Sequence, residues 1–145
     1  MRPTYQSEEN VADESAGVMR FCKVFGLVPD RCKAFYPADF ILRKKGNEYA
    51  CAMAEYKRRK NVMGLYPEYA ISMRKITNNV SMTKTAGLLF FLIVEWNDKF
   101  GYLLFNGKAP DPEFKIKIGG RNDRGDDADV EPMAMFSISK FKILL

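Results

Sequence analysis

The sequence predicts a mixed α/β fold in which helices flank a central sheet. Three patterns indicate this class. Apolar side chains recur at helical spacing over residues 6–25, residues 35–60 resemble two strands joined by a polar turn, and residues 88–96 form an apolar run. A short apolar run bounded by turn residues is typical of a strand that is buried on both faces. Together these elements predict one sheet that is covered by helices.

The first helix is predicted over residues 6–25, with Ser7 as the N-cap and Gly26 as the stop. Glu8 lies in phase with the inward-facing stripe, whereas Glu14 lies at its edge. The members of that stripe are Val11, Ser15, Val18, Cys22 and Phe25.

The hairpin is the centre of the prediction, with its turn at residues 44–47. Strand alternation places Met53, Glu55 and Lys57 on one face of the second strand. A carboxylate at the end of a buried strand has a desolvation cost that a simple core avoids. If the two strands pair, Asp39 comes close to Glu55, and two acids beside a lysine predict a hard-cation site. The alternative is a structural ion pair, which is common at strand ends.

The connections around the hairpin follow from turn residues and periodicity. Pro29–Asp30 predicts a turn, and residues 32–36 predict a short strand. Pro67 is suited to the first turn of a second helix that runs to about Thr85 and stops at Gly87. The inward stripe of this helix is predicted to be Tyr69, Met73, Ile76, Val80 and Thr83.

After the buried strand, residues 97–98 predict a turn and residues 100–105 a returning strand. The tail differs in character, with a short alternating strand at 114–118, a polar loop at 119–132 and a strand-like run at 133–143. We expect residues 1–107 to form the core and residues 108–145 to form a β-rich extension packed on the same domain. The Arg-Gly-Asp sequence at 124–126 is interpreted as a turn.

Composition excludes several functional classes. The 145 residues suffice for one domain with a substantial core. The absence of histidine excludes Ser–His and Cys–His hydrolases and histidine-ligated zinc. The net charge of +5 favours polyanionic partners. We expect no signal peptide, because residues 1–15 are polar and acidic. The three cysteines are odd in number and have no CxxC spacing, and Cys22 and Cys51 fall on apolar faces, so we expect free thiols in a reducing, cytoplasmic compartment.

Asp39 followed by Glu55-Tyr56-Lys57, after a glutamate-bearing helix, resembles the PD-(D/E)xK nuclease superfamily. The proline and the aspartate are separated here by one residue, as Pro37-Ala38-Asp39. The order of acidic helix, hairpin, helix and buried strand is the common core of that superfamily and covers about residues 5–105. The whole chain also resembles small phage-encoded members, in the segments FYPADF, AEYK, LYPEYAISMRK and GGRNDRGD…EP. The resemblance implies a restriction-endonuclease-like fold.

The resemblance also implies a metal site with a catalytic lysine. Asp39 and Glu55 would hold Mg²⁺, for which Mn²⁺ is expected to substitute, and the backbone carbonyl of Tyr56 can add a further oxygen. Lys57 would orient or activate the attacking water.

Two helical residues complete the set that the resemblance implies. The acid of the first helix is Glu14 by the resemblance or Glu8 by helical phase, and both stay open. Lys75 of the second helix would approach the site, with a surface lysine as the alternative.

Cations and aromatic side chains around the motif are candidates for nucleic-acid contacts. Basic groups can contact flanking phosphates, and tyrosine rings can stack on unpaired bases. The candidates are Arg58, Arg59, Lys60, Arg74 and Tyr69. The competing interpretation is a solvated charge run beside packed aromatic residues.

The sequence therefore predicts a Mg²⁺-dependent nuclease that acts on DNA in phage replication, recombination or host-DNA breakdown, in the host cytoplasm. The alternative is a catalytically silent, nuclease-like regulator that binds nucleic acid or protein. A homodimer and a phage or host protein partner stay open as assemblies.

Overall fold

A computed structural model describes residues 8–33, 36–107, 111–120 and 130–144, and it confirms the mixed α/β class. The helices are α1 (Glu8–Phe25) and α2 (Met73–Ala86). The strands are β1 (Leu27–Arg31), β2 (Phe40–Lys44), β3 (Ala50–Arg58), β4 (Glu68–Ser72), β5 (Leu89–Glu95), β6 (Phe100–Phe105), β7 (Lys115–Gly120), β8 (Val130–Ser137) and β9 (Lys142–Ile143).

Two sheets organise the molecule. The larger sheet has the order β1-β2-β3-β5-β6-β9, in which β3 and β5 are parallel and the other pairs are antiparallel. The smaller sheet has the order β4-β8-β7 and is antiparallel. The parallel pair requires a crossover, and β4 and α2 supply it between β3 and β5.

The central strand β3 is covered on both faces, as the sequence predicts. On one face Ala54 and Tyr56 pack with Val18 and Phe21 of α1. On the other face Met53 packs in a core that includes residues of α2 and the smaller sheet. The predicted hairpin is confirmed, because β2 and β3 pair antiparallel around a polar turn.

Gly17 allows α1 to lie close against β3. A side chain at this position would overlap the ring of Tyr56, and that ring is buried. Gly17 follows Glu14 by three residues, which is about one helical turn. The close approach therefore sets the height at which Glu14 meets the sheet.

The predicted second helix is correct at its end and wrong at its start. Residues 68–72 form strand β4, and the helix begins only at Met73. Tyr69 and Ile71 are both buried at a spacing of two residues, so the pairing of β4 with β8 prevails over the helical pattern. The predicted stop is confirmed, because Gly87 has a φ of 69° and caps the helix.

The region before the hairpin also differs from the prediction. Pro29–Asp30 lies within strand β1 instead of a turn, and the described residues of 32–36 form no strand. Strand β1 is at the edge of its sheet, where proline is tolerated because no donor is needed on the outer side.

The tail forms strands as predicted, but the run at 133–143 is not continuous. Strand β8 pairs with β4 and β7, and after a short 3₁₀ turn at Ile138–Lys140 strand β9 pairs with β6. The boundary between core and extension at residue 107 stays a prediction. The predicted Ser7 cap and the Arg-Gly-Asp sequence lie outside the described residues. Within the described part, neither helix is long and apolar enough to cross a membrane.

We expect Gly17→Ala to lower the free energy of unfolding by about 1–3 kcal/mol, because the added methyl overlaps the buried ring of Tyr56. Gly64→Ala is the matched control, since its added methyl meets open space and should change stability by less than about 0.5 kcal/mol. Chemical denaturation of both variants measures the difference. Equal stability of the two variants would contradict the close packing.

Candidate active site

Asp39 lies at the point where strands β2 and β3 separate. Its N–H donates to the carbonyl of Ala54 at 3.1 Å, and its carboxylate accepts the N–H of Tyr56 at 2.9 Å. The side chain of Asp39 thus takes the place of the next rung of the ladder after Phe40. This arrangement fixes the carboxylate of Asp39 beside Glu55, which lies between the two bonded residues of β3.

The carboxylate of Glu55 is fully buried, and several charged groups lie close to it. Nζ of Lys75 lies 3.1 Å and Nζ of Lys57 lies 3.6 Å from Oε1 of Glu55. Neither carboxylate oxygen of Glu55 has a well-formed hydrogen bond among the described residues. Burial, followed by the charge of Asp39, raises the pKa of Glu55 to about 7, although the two lysines oppose the shift.

Glu14 of α1 approaches the same cluster from the other face of the sheet. It is buried, and burial followed by the charge of Asp39 raises its pKa. Arg31 of β1 opposes that shift and donates to Glu14 at 3.5 Å. The structure brings Glu14 to Asp39, whereas the side chain of Glu8, the other candidate acid, lies outside the described part.

Helix α2 holds the turn that precedes Asp39. Nζ of Lys75 and Nδ2 of Asn79 both donate to the carbonyl of Pro37, at 3.3 and 3.1 Å. Nδ2 of Asn79 also donates to the carbonyl of Lys75 at 2.8 Å. Asn79 is fully buried, so this contact lies within the core.

Sequence reasoning missed two of these residues. Asn79 carries a weak signal, because a buried polar residue four positions after Lys75 shares its helix face. Nothing in the sequence motif indicates a role for Arg31. The structure shows its role through its contacts with Glu14 and Ser15 and through its position over the ring of Phe40.

The residues present fit a hard divalent cation. Asp39 and Glu55 offer carboxylate oxygens, and those of Glu55 are buried without hydrogen bonds. The N–H of Tyr56 points to Asp39, so its carbonyl faces the same edge of β3. In the described ranges no three residues of the types histidine, cysteine, aspartate and glutamate converge on one point. A cation here would take two carboxylates and a carbonyl and would keep several waters, as Mg²⁺ does.

Of the four basic residues predicted to contact nucleic acid, two are hydrogen-bonded within the protein and two are exposed. Arg58 donates to the carbonyl of Glu95 and to Asn97, and Arg59 donates to the carbonyl of Ala70. Lys60 and Arg74 are exposed.

Tyr69 is not available for stacking on a solvent-exposed base. Its ring is only 3% exposed, and it packs edge-on against Trp96 and Phe141 with the guanidinium of Arg59 over one face. This prediction is corrected because β4 turns the ring into the core.

Comparison with known proteins points to one family and one fold. The family model described as "Phage putative PDDEXK endonuclease" matches residues 1–144. The structure is similar to that of Hjc, a Holliday junction resolvase from the archaeal hyperthermophile Archaeoglobus fulgidus. The TM-score is 0.55 over 92% of this chain and 90% of that chain, at 12% sequence identity. No curated protein matches the chain in sequence.

We expect Glu55→Gln to stabilise the cation-free protein at pH 8 by about 1–3 kcal/mol. The folded protein binds the Glu55 proton more tightly than the unfolded chain, so the wild type loses stability as the pH rises from about 4.5 to about 7. The gain should therefore shrink as the pH is lowered from 8 to 5. Thermal unfolding across this range, in chelator, measures it.

Glu48→Gln, which removes an exposed acid in the hairpin turn, is the control and should show no such pH dependence. A Glu55→Gln variant that is less stable than the wild type at pH 8 would show that burying the Glu55 carboxylate does not destabilise the folded protein.

Proposed function

Since the chain belongs to the family of phage PD-(D/E)xK endonucleases and has a restriction-endonuclease-like fold, we propose that it is a Mg²⁺-dependent nuclease that hydrolyses phosphodiester bonds of DNA. One observation carries the proposal. The carboxylates of Asp39 and Glu55 lie together at a strand end, beside two lysines, and the carboxylate oxygens of Glu55 lack hydrogen bonds. A structural ion pair has its oxygens satisfied, whereas this pair has coordination capacity to spare.

Asp39, Glu55 and the carbonyl of Tyr56 would hold the cation. When bound, the cation neutralises charge on the phosphate and makes water more acidic. Mn²⁺ would substitute, because it also prefers oxygen ligands. The hydrogen bond from Tyr56 N–H to Asp39 keeps that carboxylate in one orientation before any ligand arrives.

The two lysines have different roles because their restraints differ. Nζ of Lys75 also donates to the carbonyl of Pro37, so it is held in place and offsets the charge of Glu55. Nζ of Lys57 is 3.6 Å from Glu55, and its side chain is about as exposed as that of Lys75, at 35% against 34%. We assign to Lys57 the contact with the attacking water or the scissile phosphate, because it lies farther from Glu55 and is the less restrained of the two.

Glu14 supports the site from α1 and would accept hydrogen bonds from water around the cation. Its contact with Arg31 fixes the carboxylate, and the packing of Gly17 on Tyr56 fixes the helix. Glu14 is therefore proposed as the helix acid of the motif.

DNA would bind mainly through its phosphates. The chain has a net charge of +5, and Lys60 and Arg74 are exposed near the ends of β3 and at the start of α2. Binding of this kind weakens with salt and is largely independent of sequence. Arg58 and Arg59 contribute charge at the same strand end while their guanidinium groups hold the backbone.

We expect Asp39→Asn to reduce metal-dependent DNA cleavage by at least about 100-fold. Asparagine can still accept the N–H of Tyr56, so the turn is retained while the charge is lost. Cleavage of plasmid, single-stranded and branched DNA with Mg²⁺ or Mn²⁺ measures the effect.

Asp30→Asn is the matched control, because Asp30 is an exposed acid that pairs with Arg43 away from the site. DNA binding without cleavage by the wild type would instead favour the catalytically silent regulator.

We expect Asn79→Ala to lower kcat about 10- to 100-fold with little change in KM, because it removes one of the two donors to the Pro37 carbonyl and lets Asp39 shift. Asn78→Ala, which changes an exposed neighbour on the same helix, should leave both constants unchanged. Steady-state cleavage kinetics measure kcat and KM for both variants. A loss of stability in Asn79→Ala without any loss of kcat would contradict the positioning role.

A further inference from the structure

A cavity of about 400 Å³ lies between the end of β3 and the smaller sheet, outside the cluster of Asp39 and Glu55. This volume is within the range of sites that bind small molecules. The walls that matter for its chemistry are Arg59, Tyr66, Tyr69, Ala70, Trp96 and Met135. Three aromatic side chains and one cation are among them, and Lys117 on the lining adds a second cation. Nothing in the proposed catalytic step uses these residues.

The cavity begins just beyond the end of β3, the strand that carries Glu55 and Lys57. Arg59 of its lining directly follows Arg58, the last residue of β3, and its N–H donates to the carbonyl of Glu95 at 2.9 Å, which continues the pairing with β5 by one residue. Two residues of strand span about 7 Å. A phosphate at Lys57 would therefore lie at the mouth of the cavity, and the next nucleotide would lie over it.

Tyr69 connects the cavity with the acids. Burial raises the pKa of Tyr69, the charge of Arg59 opposes that shift, and the charges of Glu55 and Asp39 add to it, so the hydroxyl is within electrostatic reach of both acids. That hydroxyl is buried and has no hydrogen-bond partner in the described part of the chain. A buried hydroxyl left unpaired has a free-energy cost that a polar ligand would remove.

We propose that this cavity binds one unpaired nucleobase of the DNA strand held at Asp39 and Glu55, an inference that rests on the proposed function. The ring of Tyr66, which is 59% exposed, offers stacking surface to any base, while the rings of Tyr69 and Trp96 are buried parts of the lining. Arg59 offers charge to the adjoining phosphate. Asn61 and Glu68 on the lining supply an amide and a carboxylate for the base edge.

The base must be unpaired, because a cavity of this size admits one base and excludes a base pair. The site therefore selects DNA with a single-stranded or displaced nucleotide next to the cut. The smaller sheet gains a function, since Tyr69 and Ala70 of β4 and Met135 of β8 form part of the wall.

Trp96 is the one tryptophan of the chain, so its fluorescence reports directly on the cavity. The protein in chelator is titrated with an oligothymidylate and with an abasic oligonucleotide of the same length and charge. We expect the oligothymidylate to change Trp96 emission and the abasic strand to bind, by anisotropy, without that change.

Tyr66→Ala should weaken oligothymidylate binding about five- to hundred-fold and leave abasic binding unchanged. Tyr66 is 59% exposed, so its removal does not open the core. Tyr49→Ala, which removes a tyrosine that is 74% exposed in the hairpin, is the matched control and should leave both affinities unchanged. Ala70→Leu, which fills the cavity from β4, should repeat the effect of Tyr66→Ala.

Equal emission changes with both strands, or equal weakening of both by Tyr66→Ala, would overturn the base site. Cleavage with Mg²⁺ is measured separately. Cleavage without base-dependent emission overturns the cavity assignment and leaves the nuclease intact, whereas base-dependent emission without cleavage supports the cavity and overturns the nuclease.

Discussion

The burial of the Glu55 carboxylate is the constraint on which the rest of the site depends. A negative charge with no exposed surface and no hydrogen bond destabilises the folded chain unless cations approach it. Lys57 and Lys75 provide part of that compensation, while the nearby Asp39 works against it. The balance leaves a carboxylate that is held in place by the fold and that the proposed divalent cation would stabilise.

The fold delivers the parts of this site on separate elements. The separation of β2 from β3 lets Asp39 replace a backbone rung, so its carboxylate is positioned as rigidly as a strand residue. Helix α2 carries Lys75, which donates a hydrogen bond to the turn before Asp39. Helix α1 carries Glu14 and is positioned by its close contact at Gly17. Local packing, more than loop chemistry, therefore sets the geometry of the candidate site.

The sequence predicted the hairpin and the meeting of Asp39 with Glu55, because strand alternation and one register determine both. It did not predict β4, since a period-two pattern of five residues next to a helix looks like its first turns. Asn79 escaped because a buried asparagine is recognised only when its carbonyl partner, from a distant turn, is known. The inward turn of Tyr69 depends on β8, where its pairing partner Phe136 lies 67 residues later in the chain.

Calorimetric titration of Mn²⁺ into the metal-free protein tests the central claim most directly. The account predicts a saturable binding event near neutral pH that Glu55→Gln abolishes and Glu48→Gln retains. Binding should also release protons, because the pKa of Glu55 is raised to about 7 and a ligand must be deprotonated. Undiminished Mn²⁺ affinity in Glu55→Gln would contradict the account, because the buried carboxylate would then have no part in holding the cation.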